Sequence, residues 1–126
     1  GAETVNKIQV ITPSRRGEAG TDNLNVLLQS SLNPKDKSKR EKVFRDKVFR
    51  EGDRVMQIRN NYDIIWKNSD GTAMGTGIFN GDIGFIEDID FAREVVTVDF
   101  DGKKADYLFD MLYEYDFQYA YYHSVI

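Results

Sequence analysis

Apolar and polar positions change rhythm along the chain. Lys7 to Thr12, KIQVIT, is nearly continuously apolar and rich in β-branched residues, the pattern of a strand covered on both faces, and Pro13 ends it. After a loop with two arginines and two glycines, Thr21-Asp22-Asn23 offers N-cap residues for a helix. Leu24, Leu27, Leu28 and Leu32 then recur at helical spacing until Asn33-Pro34 stops the run. In Glu51 to Asn61, EGDRVMQIRNN, the period is two. Val55, Gln57 and Arg59 fall on one face and Met56, Ile58 and Asn60 on the other, so this strand is expected to have one face on a core and one in water.

The period-two pattern continues toward the C-terminus. Tyr62 to Phe79 carries three glycines and many small polar residues after Ile64-Ile65-Trp66 and reads as a flexible loop or hairpin tip. Asn80-Gly81-Asp82 turns the chain into Ile83 to Ile89, where Ile83, Phe85 and Ile89 are expected inward around Gly84, a bulge or close backbone approach. Asp90 to Arg93 is a turn. Val96, Val98 and Phe100 alternate, and Asp101-Gly102 is a tight-hairpin signal before Lys104 to Leu108. Short strands with turns between them predict a small barrel. Glu114 to Tyr122 has helical spacing, and His123 to Ile126 reads as a strand.

The expected fold is therefore mainly β: a small barrel inserted between α/β flanking segments. Residues 1–34 form a flanking strand, loop and helix, 35–50 a basic linker, 51–110 the barrel, and 111–126 a return segment. The ends of such an insertion should lie together, because the host sheet continues across it. Within 35–50 the word Lys-Val-Phe-Arg occurs twice, five residues apart, either by coincidence or because the linker becomes a strand. Phe49 is expected to seal the mouth of the barrel.

Composition narrows the chemistry. There is no cysteine, which excludes a disulfide scaffold, a thiolate metal site and a thiol nucleophile, and a reducing compartment is the simplest reading. There is one histidine, His123, expected to be packed or in solvent, and nothing marks a catalytic or metal-binding cluster. No apolar run approaches the roughly 18 residues that span a bilayer, so no membrane partner is expected. Gly1-Ala2 reads as an expression remnant. The net charge of −4 hides an asymmetry. Lys35 to Arg50 holds eight Lys/Arg against three Asp/Glu, a net of +5, whereas Asp82 to Ile126 holds eleven acids against three bases, a net of −8. The basic run is either a solvated face or a place that holds a phosphate backbone.

Three motifs then carry a resemblance. Val10 to Pro34 (VITPSRRGEAGTDNLNVLLQSSLNP), Gly52 to Asp63 (GDRVMQIRNNYD) and Phe79 to Ile86 (FNGDIGFI) resemble RecD-like helicases, the exodeoxyribonuclease V alpha-subunit family of helicase superfamily 1. The resemblance covers nearly the whole chain, with the motifs in family order. It implies an SH3-like barrel inserted in the second RecA-like motor domain of a 5′-to-3′ DNA helicase driven by ATP. Arg15 matches the arginine of a Pro-x-Arg-x-Gly loop at the cleft between motor domains, where it and Arg16 would meet ATP phosphate; pairing with Glu18 or Asp22 is the alternative. Asn23, Leu24 and Asn25 match a helix-start triplet, read as capping. Arg59, Asn60, Asn61 and Tyr62 match the family's Arg-Asn-Asn-Tyr signature, and Asn80, Gly81, Asp82 and Gly84 its Asn-Gly-Asp-x-Gly signature.

Both signatures admit plain turn chemistry. Their functional reading is a DNA-side rim on which Asn bonds phosphate and Tyr stacks a base. The DNA-binding candidates are thus Lys42, Arg45, Lys47, Arg59, Asn60, Asn61, Tyr62, Asn80 and Asp82. The sequence also departs from the family: Trp66 to Gly77 is longer than its shortest versions, and Ile126 falls where its His-Lys-x-Gln-Gly motif has histidine. No Gly-x-x-x-x-Gly-Lys-Ser/Thr loop or acidic motif II occurs, so this chain alone is expected to hold no cofactor and to lack ATPase activity, with ATP and Mg²⁺ belonging to the parent protein. The expected partners are single-stranded DNA, other domains of the parent and nuclease-complex subunits, in the cytoplasm and in recombinational repair. The competing reading is a protein-interaction module with a rim of Tyr62, Trp66 and Phe79. The leucine stripe, uncovered, predicts a homodimer or a re-pairing of the flanking segments.

Overall fold

The computed structural model describes residues 10–12, 18–112, 117–120 and 122–124. Strand β1 (Val10–Thr12) pairs in parallel with the last strand, β11 (Tyr122–Ser124), from Val10↔Tyr122 to Thr12↔Ser124. Helix α1 (Glu18–Leu32) follows β1 and packs on β11. Parallel neighbours need a crossover. Here the crossover contains the helix and then the whole barrel, so the two ends of the barrel segment meet as adjacent strands.

Helix α1 starts earlier than the capping residues predict, and Thr21, Asp22 and Asn23 lie inside it. A cap is worth about 1 kcal/mol, which packing of the helix can override. The leucines are also not its buried face. Leu27 is 64% exposed and Leu24 is exposed, while Leu28 and Leu32 lean on the core. Asn25 and Gln29, with Asn33 just past the helix end, are buried instead. Their spacing of four makes an inward amide stripe, in which Gln29 and Asn33 find partners in Val48 O, Glu51 O and the Asp53 carboxylate.

Within residues 35–50, read as a basic linker, the chain forms strands. β2 (Glu41–Phe44) and β3 (Lys47–Arg50) form an antiparallel hairpin, with Val43 opposite Val48. Its two-residue turn is Arg45-Asp46, with φ of 49° and 66°, both left-handed as a tight hairpin turn requires. The repeated Lys-Val-Phe-Arg falls on the two strands of the hairpin, with Arg45 of the first copy in the turn. Phe44 and Phe49 are buried, with ring centroids 6.2 Å apart, so Phe49 joins the core as a hairpin residue.

The barrel sheet contains β4 (Arg54–Gln57), β5 (Asn61–Lys67), β6 (Met74–Ile78), β7 (Ile83–Asp90), β8 (Val95–Phe100), β9 (Lys103–Leu108) and β10 (Phe117–Tyr119). Their order is β10-β4-β7-β8-β9-β5-β6, all antiparallel. One hydrophobic cluster takes residues from nearly every strand, including Val55, Ile64, Ile78, Ile86, Val98 and Tyr107. A seven-stranded sheet can share one such cluster only by curling around it. The short helix α2 (Phe109–Leu112) and the β2–β3 hairpin cap the cluster through Phe44 and Phe109, 5.6 Å apart edge to face.

Several expectations change in detail. Tyr62 to Phe79 is an ordered β5–β6 hairpin, its tip held by Asn68, Asp70 and Thr72. In β7 the fully buried residues are Ile86 and Ile89, with Ile83 and Phe85 only partly covered. A register shift between Ile86 and Asp88 inserts a residue and re-phases the strand. Gly84 is a close approach, since a Cβ there would stand 2.7 Å from the carbonyl oxygen of Asp99. Asp101-Gly102 makes the expected tight turn, with φ of 53° and 92°.

Glu114 to Tyr122 is not a helix where it is described: β10 adds to the edge of β4, with Tyr119 opposite Val55. Ala120 N donates to Arg54 O at 2.8 Å, and Arg54 Nη1 donates to Ala120 O at 2.7 Å. The unpaired backbone of β4 needs a partner, and a segment of aromatic residues suits a strand. In consequence β4 is central. Arg54, Val55 and Gln57 are all buried, and the strand ends at Gln57, so the expected water face begins only at Arg59.

Candidate nucleic-acid interface

Gln57 aims the segment that follows β4. Its backbone N–H donates to Asp82 O and its carbonyl accepts from Gly81 N, both at 2.8 Å. The buried side chain accepts from Tyr107 Oη at 2.6 Å and donates to Arg59 O at 2.9 Å. Thus pinned, Arg59, Asn60, Asn61 and Tyr62 line an open cleft of about 470 Å³ with Asp63, Asp110 and Met111. Asn61 Oδ1 accepts from the N–H groups of Asp63 and Ile64 at 3.2 and 3.1 Å, which starts β5. Asn60 Oδ1 accepts from Asn80 N at 2.9 Å, and its Nδ2 donates to Tyr62 Oη at 3.3 Å. Tyr62 is 66% exposed and meets Phe79 edge to face, with centroids 5.6 Å apart. Phe79 lies across Gly77, where a Cβ would be 2.6 Å from the ring.

The structure gathers the Arg59–Tyr62 candidates at one cleft and ties Asn80 to it. Asp82 supports the turn: its carboxylate accepts from Phe79 N at 2.9 Å, and its charge is the wrong sign for phosphate. The other candidates sit on the hairpin. Lys42 Nζ lies 5.3 and 5.1 Å from the ring centroids of Phe44 and Phe109. Arg45 Nε donates to Leu112 O at 3.4 Å, and Lys47 lies on β3 opposite Phe44. Helix α2 links the two groups, since Asp110 and Met111 line the cleft while Phe109 and Leu112 face the hairpin. Arg15 and Arg16 lie outside the described residues. The Trp66 ring covers Gly75 and carries Lys103 Nζ 4.9 Å from its centroid.

Much of the basic run is engaged internally. Arg40 pairs with Glu51 at 3.1 Å and with Asp88, Arg50 with Glu41, and Lys39 donates to Asn33 Oδ1 at 2.7 Å. Burial pushes the Glu51 carboxyl up, but the N–H groups of Arg40 and Ile89 and the Arg40 guanidinium outweigh it, so Glu51 titrates below the usual range. Asp88 goes the other way: burial raises it, the Glu51 charge adds to this, and Arg40 offsets them only in part.

The sequence reading missed the hub beneath this surface. Asp53 is fully buried and accepts from Gln29 Nε2 at 2.7 Å, Asn33 Nδ2 at 2.8 Å and Arg50 N at 2.7 Å. It fastens α1 to the barrel where β4 begins. The signal was the amide spacing Asn25, Gln29, Asn33, which the leucines overshadowed.

Among the described residues, no helix is long and apolar enough to cross a membrane, and no group of three or more His, Cys, Asp or Glu can hold a metal. The family model for the SH3 domain of ATP-dependent RecD-like DNA helicases matches residues 24–100. An ATP-dependent RecD2 DNA helicase of Deinococcus radiodurans is 35% identical over 99 residues, covering 79% of this chain and 12% of that protein. No solved structure gives a significant match. With the family model covering more than half of its length, and a barrel of the expected kind in its fold, the chain belongs to the RecD-like DNA helicase family as a helicase-associated SH3-like domain.

Proposed function

We propose that this barrel helps a RecD-like helicase hold single-stranded DNA. The observation that supports it is the cleft where Arg59, Asn60, Asn61 and Tyr62 meet, beside the exposed Tyr62–Phe79 pair. A guanidinium, amides and a solvent-facing ring are the groups that single strands are held by. In this reading residues 1–34 and 111–126 belong to a RecA-like motor domain of the parent. ATP and Mg²⁺ drive 5′-to-3′ movement there, with Arg15 and Arg16 as the candidates to bind ATP phosphate, in recombinational repair in the cytoplasm. The barrel itself contributes grip and domain contacts, not chemistry.

A second reading, docking of a neighbouring domain, a nuclease-complex subunit or a second copy, is favoured by the exposed Leu24, Val26 and Leu27 on α1. The two readings use different surfaces. Fluorescence anisotropy with labelled oligo-dT separates them: Asn60→Ala with Tyr62→Ala should weaken binding at least tenfold. Replacing Lys42, Arg45 and Lys47 by alanine should act mainly at low salt. If the chain binds no oligo-dT but dimerises or captures other domains of the parent through α1, the docking reading replaces the first.

A further inference from the structure

We infer that the cleft takes an unstacked nucleobase rather than a phosphate; this rests on the single-strand reading above. The charge lining the cleft argues against phosphate. Among the described residues, Arg59 is the one cationic side chain that lines it, set against Asp63 and Asp110. Of the nearby basic run, Lys42, Arg45 and Lys47 sit on the β2–β3 hairpin and do not line the cleft, and Arg40 and Arg50 are held by Glu51, Asp88 and Glu41. An anionic backbone is therefore not drawn into the cleft and passes along its edge.

The neutral groups are those that a base needs. Tyr62 presents its ring to solvent with support on two sides: Phe79 meets it edge to face and Asn60 Nδ2 donates to its hydroxyl. Asn60 is fixed in turn by Asn80 N. A ring so supported and exposed is a stacking platform that loses little entropy on binding. Beside it, the oxygen of Asn61 is taken by two backbone N–H groups, which leaves its amino group without a partner among the described residues. Asn60 keeps one of its two amide hydrogens. These donors suit the ring carbonyls and ring nitrogens of a base, and the carboxylates of Asp63 and Asp110 suit exocyclic amines.

The test compares two labelled 15-mers in anisotropy titrations of this chain: oligo-dT, and a tetrahydrofuran abasic strand with the same phosphates. The expected results are about tenfold tighter binding of oligo-dT and a salt slope of about −0.7 to −1.4, the release of one or two phosphates' counterions. Tyr62→Phe should retain the preference for bases and Tyr62→Leu should abolish it, with both variants checked for an unchanged circular dichroism spectrum. Equal affinity for the two strands, or a slope several times steeper, overturns the base assignment and leaves single-strand binding intact. Binding of neither strand overturns the underlying reading too. Binding instead to a proline-rich peptide, lost in Tyr62→Leu, would assign the ring to peptide docking.

Discussion

Asn33 Nδ2 donates to Asp53 Oδ1 at 2.8 Å, joining the end of α1 to the turn that opens β4. The same carboxylate accepts from Gln29 Nε2 and Arg50 N, so helix, hairpin and barrel meet at one buried side chain. Asp53→Ala would strand these donors, at about 1–3 kcal/mol each for those that water cannot reach. We expect a loss of about 3 kcal/mol or more, read as a lower urea midpoint. Asp53→Asn keeps the shape but not every acceptor, and should lose less.

That hub shows why part of the fold was legible in the sequence and part was not. Alternation in Val96, Val98 and Phe100 and the Asp101-Gly102 turn are local signals, and the structure follows them. The burial of Gln29 and Asn33 depends on Asp53, 20 residues from Asn33 along the chain, and no local pattern announces it. Phe117 to Tyr119 read as helix because its apolar spacing allowed one, but the open edge of β4 decided for a strand. The repeat in residues 42–50 was a hairpin hidden by its charge. At the cleft, Arg59 to Tyr62 were visible as a signature and Phe79 as an expected rim neighbour of Tyr62, whereas the acidic wall of Asp110 required the fold.

Gly84 and Gly102 separate two reasons for glycine. Gly102 has φ of 92° and open space where a methyl would stand, so Gly102→Ala should cost only the left-handed backbone term, about 1–2 kcal/mol. At Gly84 the methyl would meet Asp99 O at 2.7 Å and Val98 Cγ1 at 2.8 Å, within paired strands. Gly84→Ala should cost about 2–3 kcal/mol, because strands must move apart. Denaturant unfolding of both variants checks the order; a larger loss at Gly102 would contradict the packing described for β7 and β8.

Glu51 sets the acid limb of stability. Its carboxyl titrates below the usual range in the folded state, so the fold binds that proton less readily than the unfolded chain does. The stabilisation is present at neutral pH and is lost as pH falls through the lowered value. Glu51→Gln should therefore cost about 1–2 kcal/mol at pH 7 and progressively less toward pH 3. Asp88 has the opposite sign: its raised titration means that protonation on acidification favours the fold. Asp88→Asn should cost less than Glu51→Gln at pH 7, as thermal melts across pH would show.

The most direct test of the cleft as the single-strand site is photocrosslinking with an oligo-dT that carries one 5-iodouracil, mapped by mass spectrometry. Crosslinks are expected at Tyr62 or Phe79, reduced by competitor oligo-dT and lost at that position in Tyr62→Leu. Crosslinks confined to the β2–β3 hairpin, or to the outer face of α1, would contradict it.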